Sequence, residues 1–217
     1  MTNDRPAIPT AGMDVLEAIY TTRSMRRVKP DPIPEDVLRQ ILDAAIRAPS
    51  GGNQQGWSFV VVRDPQKRRA LAEIYKPLIE SLFLPGTLYY RQAHSDDPDV
   101  AARTQRMVRS ARFLGEHLQD APVIVIPCLH TGGRGTNITT GSSIYPAVQN
   151  LMLAARAFGV GSVLTTIHRQ REDEVRALLG IPVDVDTAAL IPLGYPRGRW
   201  GVAERRPLEE VVHWDQW

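Results

Sequence analysis

Two short stretches carry residues whose types and spacing could do chemistry. In Arg23-Ser24-Met25-Arg26-Arg27, arginines crowd around a hydroxyl at the end of a helical pattern. Guanidinium forks match phosphate oxygens two at a time and never lose their charge, so such a cluster suits a phosphate. The second stretch is Ala48-Pro49-Ser50-Gly51-Gly52-Asn53-Gln54-Gln55-Gly56-Trp57, a small-residue loop running into the apolar Phe59-Val60-Val61-Val62. Small residues let backbone N–H groups approach a flat polar ligand closely. A phosphate grip beside a small-residue cradle suggests a nucleotide-like cofactor.

Other chemistries find less support. Gly51 and Gly56 have the spacing of a phosphate-binding P-loop, but Trp57 stands where its lysine must be and a strand follows instead of a helix. Gly159-Val160-Gly161 lacks the third glycine of a dinucleotide fingerprint, because Leu164 occupies that place, and its helix precedes the glycines. The five histidines have no metal-ligand spacing, and no Gly-x-Ser-x-Gly elbow supports a serine nucleophile. Ser142-Ser143 reads as a helix cap and His168 as a surface residue. The single Cys128 excludes an internal disulfide or thiolate zinc site and sits in an apolar strand as a small core residue.

The elements that must position these residues follow from periodicity. Residues 1–12 read as an arm, then a helix runs from about Met13 to Thr22 with Val15, Leu16 and Ile19 on one face. Ile33-Pro34-Glu35-Asp36 starts a second helix, whose stripe of Val37, Leu38, Ile41, Leu42, Ala45 and Ile46 ends at Ala48-Pro49. Trp57–Val62 reads as a buried strand, and Asp64-Pro65 opens a helix to about Glu80. Beyond it the pattern loosens to about Arg112, a partly helical insertion. Val123–Leu129 is a strand, 131–142 a Gly/Thr-rich loop and Ile144–Phe158 a helix. Ser162–Thr166, a short helix at about Arg171–Leu179, a strand over Ala188–Gly194 and an extended tail from Pro196 complete the chain. Helices alternating with about four strands give an α/β or α+β sandwich.

A chain of 217 residues fits one compact domain. The balance of 26 basic to 24 acidic residues argues against general polyanion binding, and no aromatic platforms for nucleic acid are evident. With no signal-peptide pattern and no apolar run approaching ~20 residues, the expectation is a cytosolic protein that neither spans nor anchors in a membrane.

The two opening motifs resemble those of the nitroreductase-like flavoproteins. So do Asn150–Gly159, Val160–Thr166, Ile191-Pro192-Leu193-Gly194-Tyr195-Pro196 and Arg205-Arg206-Pro207-Leu208, all in family order. Thr165-Thr166 and the Gly-Tyr-Pro block look closest to the branch that includes iodotyrosine deiodinase. The resemblance implies an α+β three-layer sandwich, with a mixed, mostly antiparallel sheet flanked by helices. It also implies a homodimer whose tail, residues 196–217, wraps the partner subunit. The implied cofactor is non-covalent FMN, with no metal. Arg23, Ser24 and Arg26, joined by Arg205, match the residues that hold its phosphate, with Thr22 where a further arginine is common. Pro49, Ser50 and Asn53 match the motif that lines the flavin from the other subunit, with Gly56 in place of a proline. Leu164, Thr165 and Thr166 match the segment along the isoalloxazine edge, with Thr166 a candidate modulator of N5.

The implied function is reduction of a small organic acceptor, a nitroaromatic or quinone, with NAD(P)H delivering hydride in a ping-pong cycle. No protein nucleophile or general base is then needed. Tyr75, Tyr89, Tyr90 and Arg91, in an insertion over about 75–115, either line the acceptor pocket or simply pack. A reductive dehalogenase of the deiodinase type, a flavin-cleaving enzyme of the vitamin B12 ligand pathway and a non-catalytic flavin-binding protein remain alternatives.

Overall fold

The computed structural model describes residues 12–135 and 137–217, so nearly all of the expected arm lies outside the described residues. Among the described residues seven helices surround one sheet: α1 (Val15–Thr21), α2 (Glu35–Ala45), α3 (Pro65–Ser81), α4 (Leu88–Ala93), α5 (Pro98–His117), α6 (Ile138–Ala157) and α7 (Glu172–Leu179). The strands are β1 (Trp57–Val62), β2 (Val123–His130), β3 (Gly161–Ser162), β4 (Val185–Thr187) and β5 (Ile191–Gly194), five in all where about four were expected. The path runs β1-β2-β5-β3, β4 pairs with β2, and every strand pairing is antiparallel.

β2 decides the layering, because both of its faces are buried. Ile124, Ile126 and Cys128 pack with Leu71, Tyr75 and Ile79 of α3, Leu114 of α5 and Val175 of α7. Val123, Val125 and Leu129 point the other way, against Leu38 and Ile41 of α2 and Ile144, Val148 and Leu151 of α6. Alternate residues of one strand thus hold helices on both sides, which yields the expected α+β arrangement.

Several expectations need correction. β1 pairs only with β2, so its run of valines marks a half-buried edge strand and not a fully buried one. The loose region after α3 is mostly helical, since Asp97 caps α5 and Pro98 occupies its first turn. α6 begins in the expected loop, at Ile138. A capping box starts it, with Thr140 N donating to Asn137 Oδ1 and Asn137 N to Thr140 Oγ1, which leaves Ser142 and Ser143 inside the helix. The strand foreseen over Ala188–Gly194 is broken, because Leu190 turns from β2 to exchange backbone hydrogen bonds with Thr165. The strand foreseen over Ser162–Thr166 likewise shrinks to β3 and that bridge.

The apolar face of α1 is open to solvent. Ala18 is its buried residue, while Leu16 is 60% exposed and Val15 and Ile19 are exposed beside it. The segment after Pro196 is similar, with Trp214 83% exposed and Leu208 and Trp217 open to solvent. Among the described residues no helix is long and apolar enough to cross a membrane.

Candidate active site

The arginine motif is extended and stitched to the sheet. Ser24 bridges Ser162 of β3, Met25 N donates to Ser162 O at 2.8 Å, and Lys29 N donates to Tyr195 O at 2.7 Å. Met25 and Val28 are buried, while Arg23, Ser24 and Arg27 are exposed. Two glycines make the approach possible. A Cβ on Gly161 would lie 2.9 Å from Met25 Cβ, and one on Gly194 would lie 2.9 Å from Val28 Cβ.

The structure brings Arg205 to this strip. Arg23, Ser24, Arg26, Glu204 and Arg205 line one open cavity of about 630 Å³. The approach of the C-terminal segment is fixed upstream by Arg156. This buried side chain donates from Nε to Thr21 Oγ1 at 2.8 Å and lies 4.3 Å over the Trp200 ring. Among the described residues no carboxylate pairs with Arg23, Arg26 or Arg205. Burial holds the Arg26 guanidinium below the usual arginine range, with Tyr75 and Tyr89 acting in the opposite direction. A desolvated cation without a counter-charge is costly, and an anion in this cavity would offset that cost.

Tyr75 ties this cavity to the third motif. It is a fully buried core residue of α3, not the pocket-lining residue considered from the sequence. Burial pushes its phenol above the usual range, opposed by Thr165 and then by Arg26, so it stays protonated. Its hydroxyl donates to Thr165 Oγ1 at 3.1 Å. No pattern in the sequence distinguishes this tyrosine from ordinary packing. Tyr75→Phe is expected to lower stability by about 1 kcal/mol, one net hydrogen bond, read as a shifted urea midpoint at constant slope. An unmoved midpoint would show that the contact carries nothing.

Tyr89 and Tyr90 do line a cavity, of about 360 Å³, together with His94, Arg109 and Arg112. Arg91 is not among its lining residues.

The Ser50 motif lies elsewhere. Gly52, Asn53 and Gln55 adopt left-handed backbone, unusual for the two residues with a Cβ. Gln55 N donates to Ser50 Oγ at 2.9 Å, and Gly51 N donates to Ser143 Oγ of α6 at 3.1 Å. Ser50 opens on a cavity of about 490 Å³ with Leu129, Arg134, Asn137 and Ser143. It shares no lining residue with the arginine cavity. The structure therefore joins Arg23, Ser24, Arg26 and Arg205, links Thr165 to them through Tyr75, and leaves Pro49, Ser50 and Asn53 apart. Leu164 and Thr166 flank Thr165 and line neither cavity.

Beneath the third motif lies a network that the sequence reading missed. His168 has no exposed surface, which corrects its expected surface role. Glu172 Oε1 accepts from Thr187 N and Thr187 Oγ1, both at 2.7 Å, and lies 3.3 Å from Arg176. The Thr187 proton being committed to the carboxylate, His168 Nε2 must donate to Thr187 Oγ1 across 3.1 Å. His168 Nδ1 is then a buried acceptor with no hydrogen-bond partner among the described residues. Burial, with Glu172 acting in the same direction, pushes the nearby Cys128 thiol up to about 12, so it is no nucleophile. Among the described residues no cluster of three His, Cys, Asp or Glu side chains could hold a metal ion.

Comparison with known proteins decides the family. The nitroreductase family model matches residues 19–195. The chain belongs to the nitroreductase family. It is an oxidoreductase of that flavin-dependent family. A "NADH dehydrogenase" of Thermus thermophilus is 35% identical over 93% of this chain and 96% of its own. Rat iodotyrosine deiodinase 1 is 26% identical over 90% of this chain and 67% of its own. Among solved structures, oxidized iodotyrosine deiodinase bound to FMN and 3-iodo-L-tyrosine superposes with a TM-score of 0.71 at 23% identity. That match covers 94% of this chain and all of the other.

Proposed function

We propose that two copies of this chain hold FMN between them and use NAD(P)H to reduce a small organic acceptor. The observation that carries this reading is Arg26, a partly desolvated guanidinium without a carboxylate, in one cavity with Arg23 and Arg205. A phosphate dianion is the counter-charge those forks fit. The hydrogen bond from Tyr75 to Thr165 supports a ring-edge role for that segment. When bound, FMN supplies the hydride chemistry, and the chain supplies binding, orientation and electrostatics.

The separation of motifs supports a homodimer. Ser50 and its loop open on a cavity that shares no lining residue with the arginine cavity, as a ligand held between two chains would require. The exposed Val15, Leu16 and Ile19 of α1, with Leu208, Val211, Trp214 and Trp217, offer the apolar surface such an interface requires. Obligate interfaces bury roughly 2,000 Å² or more, and residues 196–217 wrapped on the partner would contribute to that area. We expect the purified protein to be a yellow dimer by light scattering, with FMN equimolar to chain. Deleting Val211–Trp217 should cost both dimer and flavin. A folded protein that neither carries nor takes up FMN would overturn the reading.

The deiodinase likeness supports reductive dehalogenation as a second reading, through Thr165 and Thr166. Iodide release from 3-iodotyrosine under reducing conditions separates it from reduction of nitroaromatics or quinones.

A further inference from the structure

A second cationic site adjoins the phosphate grip. The groove, of about 390 Å³, is lined by Arg23, Arg27, Ser110, Phe113, Arg197 and Arg199 among others. It shares Arg23, Ser24 and Arg26 with the first cavity, but Arg27, Arg197 and Arg199 belong to it alone. Two of its arginines are held in place. Arg27 lies 4.6 Å over the Phe113 ring and Arg197 5.9 Å from the same centroid. Arg197 N donates to Arg27 O at 2.9 Å, and Arg197 Nε donates to Val28 O at 3.0 Å. Among the described residues Arg27, Arg197 and Arg199 pair with no carboxylate, while nine other arginine or histidine side chains do.

Like charges gathered this closely repel, and a scaffold that pins them together implies an anion to neutralise them. A single flavin phosphate is accounted for by Arg23, Arg26 and Arg205. Three guanidiniums remain beside it, those of Arg27 and Arg197 against the Phe113 ring and that of Arg199 with no hydrogen bond or ion pair to any described residue. A phosphomonoester dianion matches such edges through paired hydrogen bonds better than a single carboxylate does. Building on the flavin reading, we infer that this groove takes the 2′-phosphate of NADPH and makes the phosphorylated dinucleotide the preferred reductant.

The test is a calorimetric titration of the FMN-loaded protein with 2′,5′-ADP, with 5′-ADP and with inorganic phosphate, alongside KM for NADPH and NADH. 2′,5′-ADP should bind at least about tenfold tighter than 5′-ADP, the value of one charge-assisted contact, and inorganic phosphate more weakly still. Arg199→Ala removes a side chain that makes no hydrogen bond or ion pair with any described residue. It should raise KM for NADPH about tenfold more than KM for NADH at unchanged FMN content, with partial rescue in Arg199→Lys. The double variant Arg27→Ala/Arg199→Ala should abolish the preference for 2′,5′-ADP. Equal binding of the two nucleotides, or inorganic phosphate binding as tightly as 2′,5′-ADP, would overturn the inference. Loss of FMN from Arg199→Ala would also overturn it, by making the groove part of the flavin grip. If the protein holds no FMN, the flavin reading fails separately, because the nucleotide titration can be read on the same chain without it.

Discussion

Replacing Arg26 and Arg205 together with alanine should weaken FMN binding by roughly 2–4 kcal/mol, about thirtyfold to a thousandfold in Kd. The two residues are not equivalent. Arg26 is partly buried, burial lowers its pKa, and no carboxylate among the described residues offsets its charge. Its hydrogen bonds to a phosphate would form where water competes poorly, so Arg26→Ala should give the larger share. Arg205 is exposed and already donates to Glu204 O at 2.9 Å, and solvent screening reduces what it adds. Fluorescence of released flavin during titration measures both variants. Riboflavin provides the control, because it keeps the ring and lacks the phosphate. The double variant should lose most of its preference for FMN over riboflavin, whereas an undiminished preference would move the phosphate to other residues.

Acid should destabilise the fold through one histidine. His168 has no exposed surface, and burial drives its pKa down to about 4, with Arg169 acting in the same direction and Glu172 against it. A histidine depressed in the native state is protonated in the unfolded chain first. Its neutral form therefore favours folding fully above about pH 6.5, and the advantage is lost as pH falls toward 4. A shift of about two and a half pH units, at about 1.4 kcal/mol each, corresponds to a loss on the order of 3 kcal/mol. The geometry explains why no new hydrogen bond compensates. Nε2 already donates to Thr187, so the added proton must go to Nδ1, which has no acceptor nearby. Urea unfolding at several pH values between 4 and 7 reads this slope. His168→Gln keeps an amide donor of similar size and does not titrate, so its slope across that window should be flatter. Equal slopes would place the acid sensitivity elsewhere.

The same network explains why the Thr165–Thr166 segment holds its shape. Thr165 is pinned from the sheet side by Leu190 and from α3 by Tyr75, and the chain then turns into the short 3-10 helix Ile167–Arg171 above Glu172 and Thr187. Asp186, which accepts from Thr131 and Arg176, extends the network to the end of β2.

Much of this was legible in the residues themselves. Short-range rules place the caps and breakers: Asp64 before Pro65 and Asp97 before Pro98 start helices whose first amides their carboxylates accept. β1 emerges at Trp57–Val62 because β-branched residues between turn formers leave little choice. The arginine cluster, the Ser50 loop and the Thr165-Thr166 pair are chemically distinctive, and with their order along the chain they were enough to indicate the family.

What the residues could not determine were relations between distant segments. Whether an apolar strand is central or at an edge depends on its partners, which is why β1 proved half-buried. α1 carries an apolar stripe that one chain alone leaves in solvent, because periodicity says that a face will be covered but not by what. Tyr75 and His168 acquire their roles from hydrogen bonds spanning 90 and 19 residues of sequence, beyond any local pattern. The convergence of Arg27 and Arg197 on Phe113, in one groove with Arg199, likewise exists only after the chain following β5 folds back along the first motif. Sequence determined which groups could bind a phosphate. The tertiary structure decided which of them face one cavity, because the free energy of a buried or crowded charge depends on neighbours that only folding brings together.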